Sequence, residues 1–142
     1  MDTPLRSKSE ENTKLANLAI QETYYASSIH CSYYAYLQLM KHIQRSDFGM
    51  TEQEIKNESR AIKQDSHIFL INFFKTKLSC KQGLSRREQL IISDDFATFM
   101  AELKQIRVKA DYDNIEIKSN EAKKSLKMSN EIILILKTNF TI

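Results

Sequence analysis

Residues 24–44 read YYASSIHCSYYAYLQLMKHIQ, and the fold turns on the spacing of the apolar side chains within that run. Ala26, Ile29, Tyr33, Leu37, Met40 and Ile43 recur at steps of three or four, one stripe carried over about five helical turns. That pattern makes the run the central core helix. Ser27, Ser28 and Ser32 are small enough to let a neighbouring helix approach closely, while the tyrosines offer apolar bodies with hydroxyl tips. Tyrosine at this density belongs to a core edge or an interface before it belongs to chemistry.

Upstream, the first dozen residues are polar, and Pro4 lacks the donor that regular structure needs. A flexible segment over residues 1–12 and a single domain over 13–142 are expected, with order beginning near Asn12. There NTKLANLAI sets Leu15, Leu18 and Ala19 at helical spacing as the core face of a short first helix.

Downstream, RSDFGM closes the central helix near Gly49, and TEQE at 51–54 has the Thr-x-x-Glu form of a capping box opening a shorter helix. DSHIFLINFFKTKL crowds Ile68, Phe69, Leu70, Ile71, Phe73, Phe74 and Leu78 together behind an Asp65 or Ser66 cap. Most of that helix's circumference is expected to be covered, by the core or by a second subunit. Gly83 ends it, and Ser85 with Glu88 forms another capping box. A long helix follows, with Ile92, Phe96, Phe99, Leu103, Ile106 and Ala110 as its stripe, broken at YDNIEIKS, where Asn114 suits a left-handed turn. The last helix, from about Ser119, uses Ala122, Leu126, Ser129, Ile133, Leu136 and Phe140, widened by Ile132 and Ile135. The expected fold class is all-α, an antiparallel bundle of four to five main helices.

Composition agrees with that class. Among 142 residues there are two glycines and one proline, too few turn formers for a chain of many hairpins. The length suits one core burying roughly 68–70% of the unfolded surface. Net charge is +3 with the cations dispersed, so acidic partners are permitted without the basic stripe of a dedicated duplex binder. Cys31 and Cys80 lack CxxC spacing and a His-Cys cluster, which argues against a disulfide framework or zinc site and for a reducing, cytoplasmic setting. MDTPLRSKSEEN lacks the apolar core of a secretory signal, and IILIL at 132–136 is far short of a membrane span. A soluble protein with no membrane partner is expected. His30, His42 and His67 lack a ligand-spaced carboxylate, cysteine or histidine on their own helices, so neither a metal nor a cofactor is expected. His67 is placed to cap a helix end or reach a tyrosine.

Arg107 is the residue to explain. It stands one turn beyond Leu103 and beside Ile106, on or next to the buried stripe, with Asp111 four residues on. An exposed pair of that kind contributes only about 0.3–0.5 kcal/mol, in the less favourable order for the helix dipole. A buried arginine would need further partners, which an interface can supply.

These segments together resemble the HEPN family, helical-bundle domains of prokaryotic toxin, abortive-infection and CRISPR-associated ribonucleases and of many partners of nucleotidyltransferases. The resemblance spans nearly the whole chain. It rests on SSIHCSYYAYLQLM, on DSH opening a later helix, on LKQIRVKADYDN as an Arg-x-x-Ala-Asp-Tyr close, and on EAKKSLKMSNEIILILK as the last helix. It implies a bundle that dimerises so that two copies of the arginine helix line a shared cleft. In nuclease members a histidine follows the arginine and the pair cleaves RNA without metal through the ribose 2′-hydroxyl. Arg107 matches, but Tyr112, Asp113 and Asn114 stand where that histidine would fall. An unperturbed tyrosine, with a pKa of about 10, moves protons poorly near neutrality.

The expected function is therefore a dimerising HEPN-like module, non-catalytic or weakly catalytic, acting with RNA, a nucleotide or a nucleotidyltransferase-type protein in a defence or toxin–antitoxin setting. Its binding and interface residues would be Arg107, Asp111, Tyr112, Asn114, Tyr33 and Tyr34. One alternative is a metal-independent RNase with an altered site, Arg107 stabilising the phosphate and Tyr112, Asp113 or His67 moving protons. The other is a purely structural adaptor.

Overall fold

The structure, a computed structural model, describes residues 3–63 and 65–140. Among them are six helices and no strand: α1 (Pro4–Gln21), α2 (Tyr25–Ser46), α3 (Glu52–Ala61), α4 (Ser66–Ser79), α5 (Arg86–Tyr112) and α6 (Ser119–Asn139). The all-α class holds, with six helices in place of the four to five main ones expected.

Polar contacts give the directions of packing. Thr3 meets His42, Ser9 meets Ala35, Asn12 meets Gln38, and Ser28 meets Ala16, so numbering falls along α2 as it rises along α1. The two are antiparallel. Arg86 reaches the carbonyl of Ser79 and Ser93 that of Lys75, while Lys109 pairs with Glu121 and Lys124 with Glu102. Hence α4/α5 and α5/α6 are antiparallel too.

Helix α2 lies at the centre, packed by α1, α5 and α6. Tyr33, Tyr36, Leu37, Met40 and Ile43 of α2 join Phe74, Phe96, Met100, Leu103, Ile132 and Leu136 in one core. Ala26, expected at the top of that stripe, is exposed. Two of the three small residues lie at close approaches: Ser28 donates to the Ala16 carbonyl at 2.8 Å, and Ser129 of α6 donates to the Ser32 carbonyl at 2.7 Å, while Ser27 is exposed. These bonds offset the burial of the Ser28 and Ser129 hydroxyls, whereas the Ser32 hydroxyl is buried with no partner among the described residues.

The N-terminal reading needs correction. Residues 4–12, assigned to a flexible segment, form the first half of α1; residues 1 and 2 of that segment lie outside the described residues. Pro4 occupies the first turn, where a missing N–H costs nothing, and the Ser9 hydroxyl is held by the Ala35 carbonyl. The face of α1 is corrected as well. Leu15 and Leu18 are about half exposed, and α1 buries Ser9 and Ala16 against α2 instead. Only short side chains fit where the two backbones come this close.

The caps follow local rules. Thr51 and Glu54 complete a capping box and Asp65 accepts from the amides of His67 and Ile68. Ser85 accepts from Glu88, without a return bond from the glutamate. Gly49 and Gly83 take positive φ after α2 and α4. Asn114 does not; α5 instead closes into an extended Asp113. Helix α4 buries Phe69, Leu70, Phe74 and Leu78, while Ile68 is exposed and Ile71 and Phe73 are half-covered. It is buried along one flank rather than around most of its circumference. No helix of the described residues is long and apolar enough to cross a membrane.

Candidate functional site

The central helix α2 and the end of α5 bring Arg107 against a wall of tyrosines. Its guanidinium carbon stands 5.0 Å from the centroid of the Tyr33 ring, 5.8 Å from Tyr34 and 5.6 Å from Tyr112. At these distances the cation is attracted to the ring faces by their π-clouds. Nη2 donates to the Tyr34 hydroxyl at 3.3 Å. Nε lies 2.9 Å from Oδ2 of Asp111, one helical turn on. Its N–H is not directed along that line, so the pair is ionic and the donor lacks a hydrogen-bond acceptor. The Arg107 side chain is 14% exposed. It is turned inward, held between ring faces and a carboxylate.

Two histidines border this group. His67, at the start of α4, has Nδ1 2.9 Å from the Tyr33 hydroxyl, so the ring that carries Arg107 on its face carries an imidazole at its tip. His30, on α2, reaches Asp111 Oδ2 at 3.3 Å and stacks on Tyr34 with centroids 4.7 Å apart. Asp111 therefore bridges a guanidinium and an imidazole.

The charges are unevenly shared. Burial lowers the proton affinity of His67, Lys41, Arg107 and Lys104 lower it further, and Asp65 only partly opposes them. The net result is an imidazole biased to its neutral form. Burial also pulls Arg107 down, but Tyr34, Asp111, Tyr112 and Tyr33 together outweigh it, and the guanidinium is held more firmly cationic. Burial raises the Tyr33 hydroxyl despite the opposing charge of Arg107, so that hydroxyl stays protonated. Asp65 is lowered by the amide of Ile68 and by Lys104, which keeps the α4 cap ionised.

Of the residues singled out from sequence, Arg107, Asp111, Tyr112, Tyr33, Tyr34 and His67 converge here. Asp113 and Asn114 do not; both are exposed beyond the end of α5, with no side-chain hydrogen bond among the described residues. No family model matches the chain, and no curated protein or solved structure does either. The site must accordingly be read from its own geometry.

Sequence reasoning weighed His30 only as a metal ligand, leaving it outside the site, and passed over Lys104. His30 is four residues before Tyr34 and Lys104 three before Arg107, spacings that put each pair on one helix face; that signal was available. The contact of His30 with a carboxylate 81 positions away was not. His42 is buried beside Thr3 and stands apart as a structural group. Cys31 is half-buried, and burial pushes its thiol up, away from reactive thiolate. Among the described residues no set of three His, Cys, Asp or Glu side chains converges to hold a metal.

Proposed function

We propose that the chain is a HEPN-like module whose Arg107 surface binds RNA, working as a pair of copies or beside a protein partner. The observation that carries this reading is the guanidinium stacked on three tyrosines and tied to Asp111, with an imidazole on either side. Arginine held this way presents a planar cation to a phosphate at little further entropic cost. Tyr112, 72% exposed, and the half-exposed His30 offer ring faces on which unpaired bases stack. Lys41 and Lys104 add positive potential on the His67 side.

Fluorescence anisotropy with labelled single-stranded RNA tests the reading. Binding should weaken with added salt, by roughly tenfold or more on Arg107→Ala and by about 1–3 kcal/mol on Tyr112→Ala. Arg107→Lys, which keeps the charge but not the planar fork, separates lost charge from lost stacking. Absence of binding, or equal binding by Arg107→Ala at an unchanged melting temperature, rules the reading out.

A second reading, metal-independent cleavage, is favoured by the neutral bias of His67. With Nδ1–H donating to the Tyr33 hydroxyl, Nε2 is open to take the proton of a ribose 2′-hydroxyl. The 2′-oxygen would then attack the adjacent phosphorus and the P–O5′ bond break, leaving a 2′,3′-cyclic phosphate and a 5′-oxygen that takes its proton from water, with Arg107 stabilising charge on the attacked phosphate. RNA cut in the presence of EDTA by the native chain and left intact by His67→Ala supports it. No cutting, or undiminished cutting by Arg107→Ala, excludes it.

A further inference from the structure

Two hollows of about 580 and 330 Å³ lie end to end between α1 and α6 and meet at Asn130, which lines both. None of their lining residues belongs to the Arg107 group. Together they form one groove that follows α1 from Arg6 to Gln21, about 22 Å at the helical rise per residue. Its floor is apolar, with Leu39 and Leu126 buried and Ile20 and Ile133 half-buried. Leu134 stands on the α6 wall, 60% exposed.

The walls of the groove have a helical rhythm. On α6, Lys123, Lys127, Asn130, Leu134 and Lys137 follow one another at steps of four, three, four and three. On α1, Arg6, Glu10, Thr13, Asn17 and Ile20 do the same. Rows spaced in this way are the ones helices offer each other when the knobs of one enter the holes of the next. A third helix laid in the groove therefore meets both walls with its own repeat of about 3.5 residues. An extended peptide, with its repeat of two, matches neither wall.

Charge selects among helices. Arg6, Lys14, Lys123, Lys127 and Lys137 face the two carboxylates of Glu10 and Glu131, a surplus of three that equals the net charge of the whole chain. Glu10 is already paired with Arg6 at 3.7 Å, whereas the four lysines form no ion pair among the described residues. No aromatic side chain lines the groove, so unpaired bases have no ring to stack on. A second copy of the same groove would set like charges against each other.

We infer that the α1/α6 groove docks an amphipathic helix of a partner protein, its apolar face on the floor and its flanking carboxylates against the lysines of both walls. Leu134 enters between the turns of that helix, and Lys14 of α1 and Lys127 of α6 hold it from opposite sides. The inference goes beyond the reading of the Arg107 surface and uses none of its residues.

A labelled three-heptad peptide, with leucine at its a and d positions and glutamate at e and g, tests the groove by fluorescence anisotropy on the full chain. Like charges at e and g keep the peptide from pairing with itself. It should bind at micromolar concentration, and a version with lysine at e and g, or with the same composition scrambled, should bind about tenfold weaker or more. Lys127→Glu combined with Leu134→Glu, both at exposed positions, should weaken the acidic peptide by about tenfold or more at an unchanged melting temperature. Leu90→Glu, exposed on α5, should bind it as the native chain does. No binding of the acidic peptide, equal binding of the scrambled one, or undiminished binding by the double variant overturns the inference. The double variant should treat single-stranded RNA and phosphatidylglycerol vesicles as the native chain does. If either loses affinity through it while the peptide does not, the groove takes nucleic acid or lipid and the inference falls.

Discussion

His67 joins the chemistry of the site to the stability of the fold, because the same surroundings that keep its imidazole neutral make protonation unfavourable in the native state. Its pKa lies below the ordinary value of 6.5, through burial first and then Lys41, Arg107 and Lys104. As pH falls through 6.5 the unfolded chain takes up this proton before the folded one does. Stability is therefore fully present above that value and declines below it, until the native imidazole is protonated too. The expectation is that lowering pH from about 8 to about 5 shifts the urea midpoint of the native chain further down than that of His67→Gln, which cannot titrate there. Equal shifts would mean that His67 is not held neutral by its neighbours. The rest of the site divides along similar lines of legibility. Arg107 and Asp111 could be paired from their spacing along one helix, and His67 with a tyrosine from its place at a helix start. Asp111 as a bridge to His30 depends on how α2 and α5 pack, which no spacing within one helix encodes.

At the scale of single helices, periodicity found the faces that large side chains cover and misjudged the face built from small ones. Phe96 and Leu103 of α5, and Leu126 and Leu136 of α6, are buried where the stripes placed them. On α1 the signal pointed the wrong way, because apolar counting favours Leu15 and Leu18 while the contact with α2 is made by Ser9 and Ala16. The starts of α3 and α4 were the more legible features, since Thr51 with Glu54 and Asp65 act within their own turn. The α1–α2 contact gives a direct check. Ala16 has no exposed surface and its carbonyl accepts from Ser28, so Ala16→Leu should overpack the seam and destabilise by about 1–3 kcal/mol. Leu15→Ala, on the open face, should change stability by no more than about 0.5 kcal/mol. Denaturant titration of the two variants would return the opposite order if the leucines faced the core.

The whole molecule leaves an apolar margin beside its most polar group. Val108 and Tyr112 on the last turns of α5, and Ile115 just beyond, are all exposed, and the first two flank Arg107 and Asp111 in sequence. A second copy meeting this margin in two-fold register would bring the two Arg107–Asp111 pairs beside one another. Apolar residues around such a patch supply the burial that charges alone do not. The chain should therefore be a dimer by size-exclusion chromatography with light scattering, and Val108→Glu combined with Ile115→Glu should convert it to a folded monomer. Because both positions are open to solvent, that pair of substitutions should leave the helical spectrum intact while dissociating the copies, which separates a lost interface from a lost fold. If RNA binding needs a cleft shared by two copies, it should fall with dissociation; if the Arg107 surface acts alone, it should survive. A native chain that runs as a monomer at high protein concentration would reject the paired arrangement and leave Tyr112 as a stacking face for RNA only.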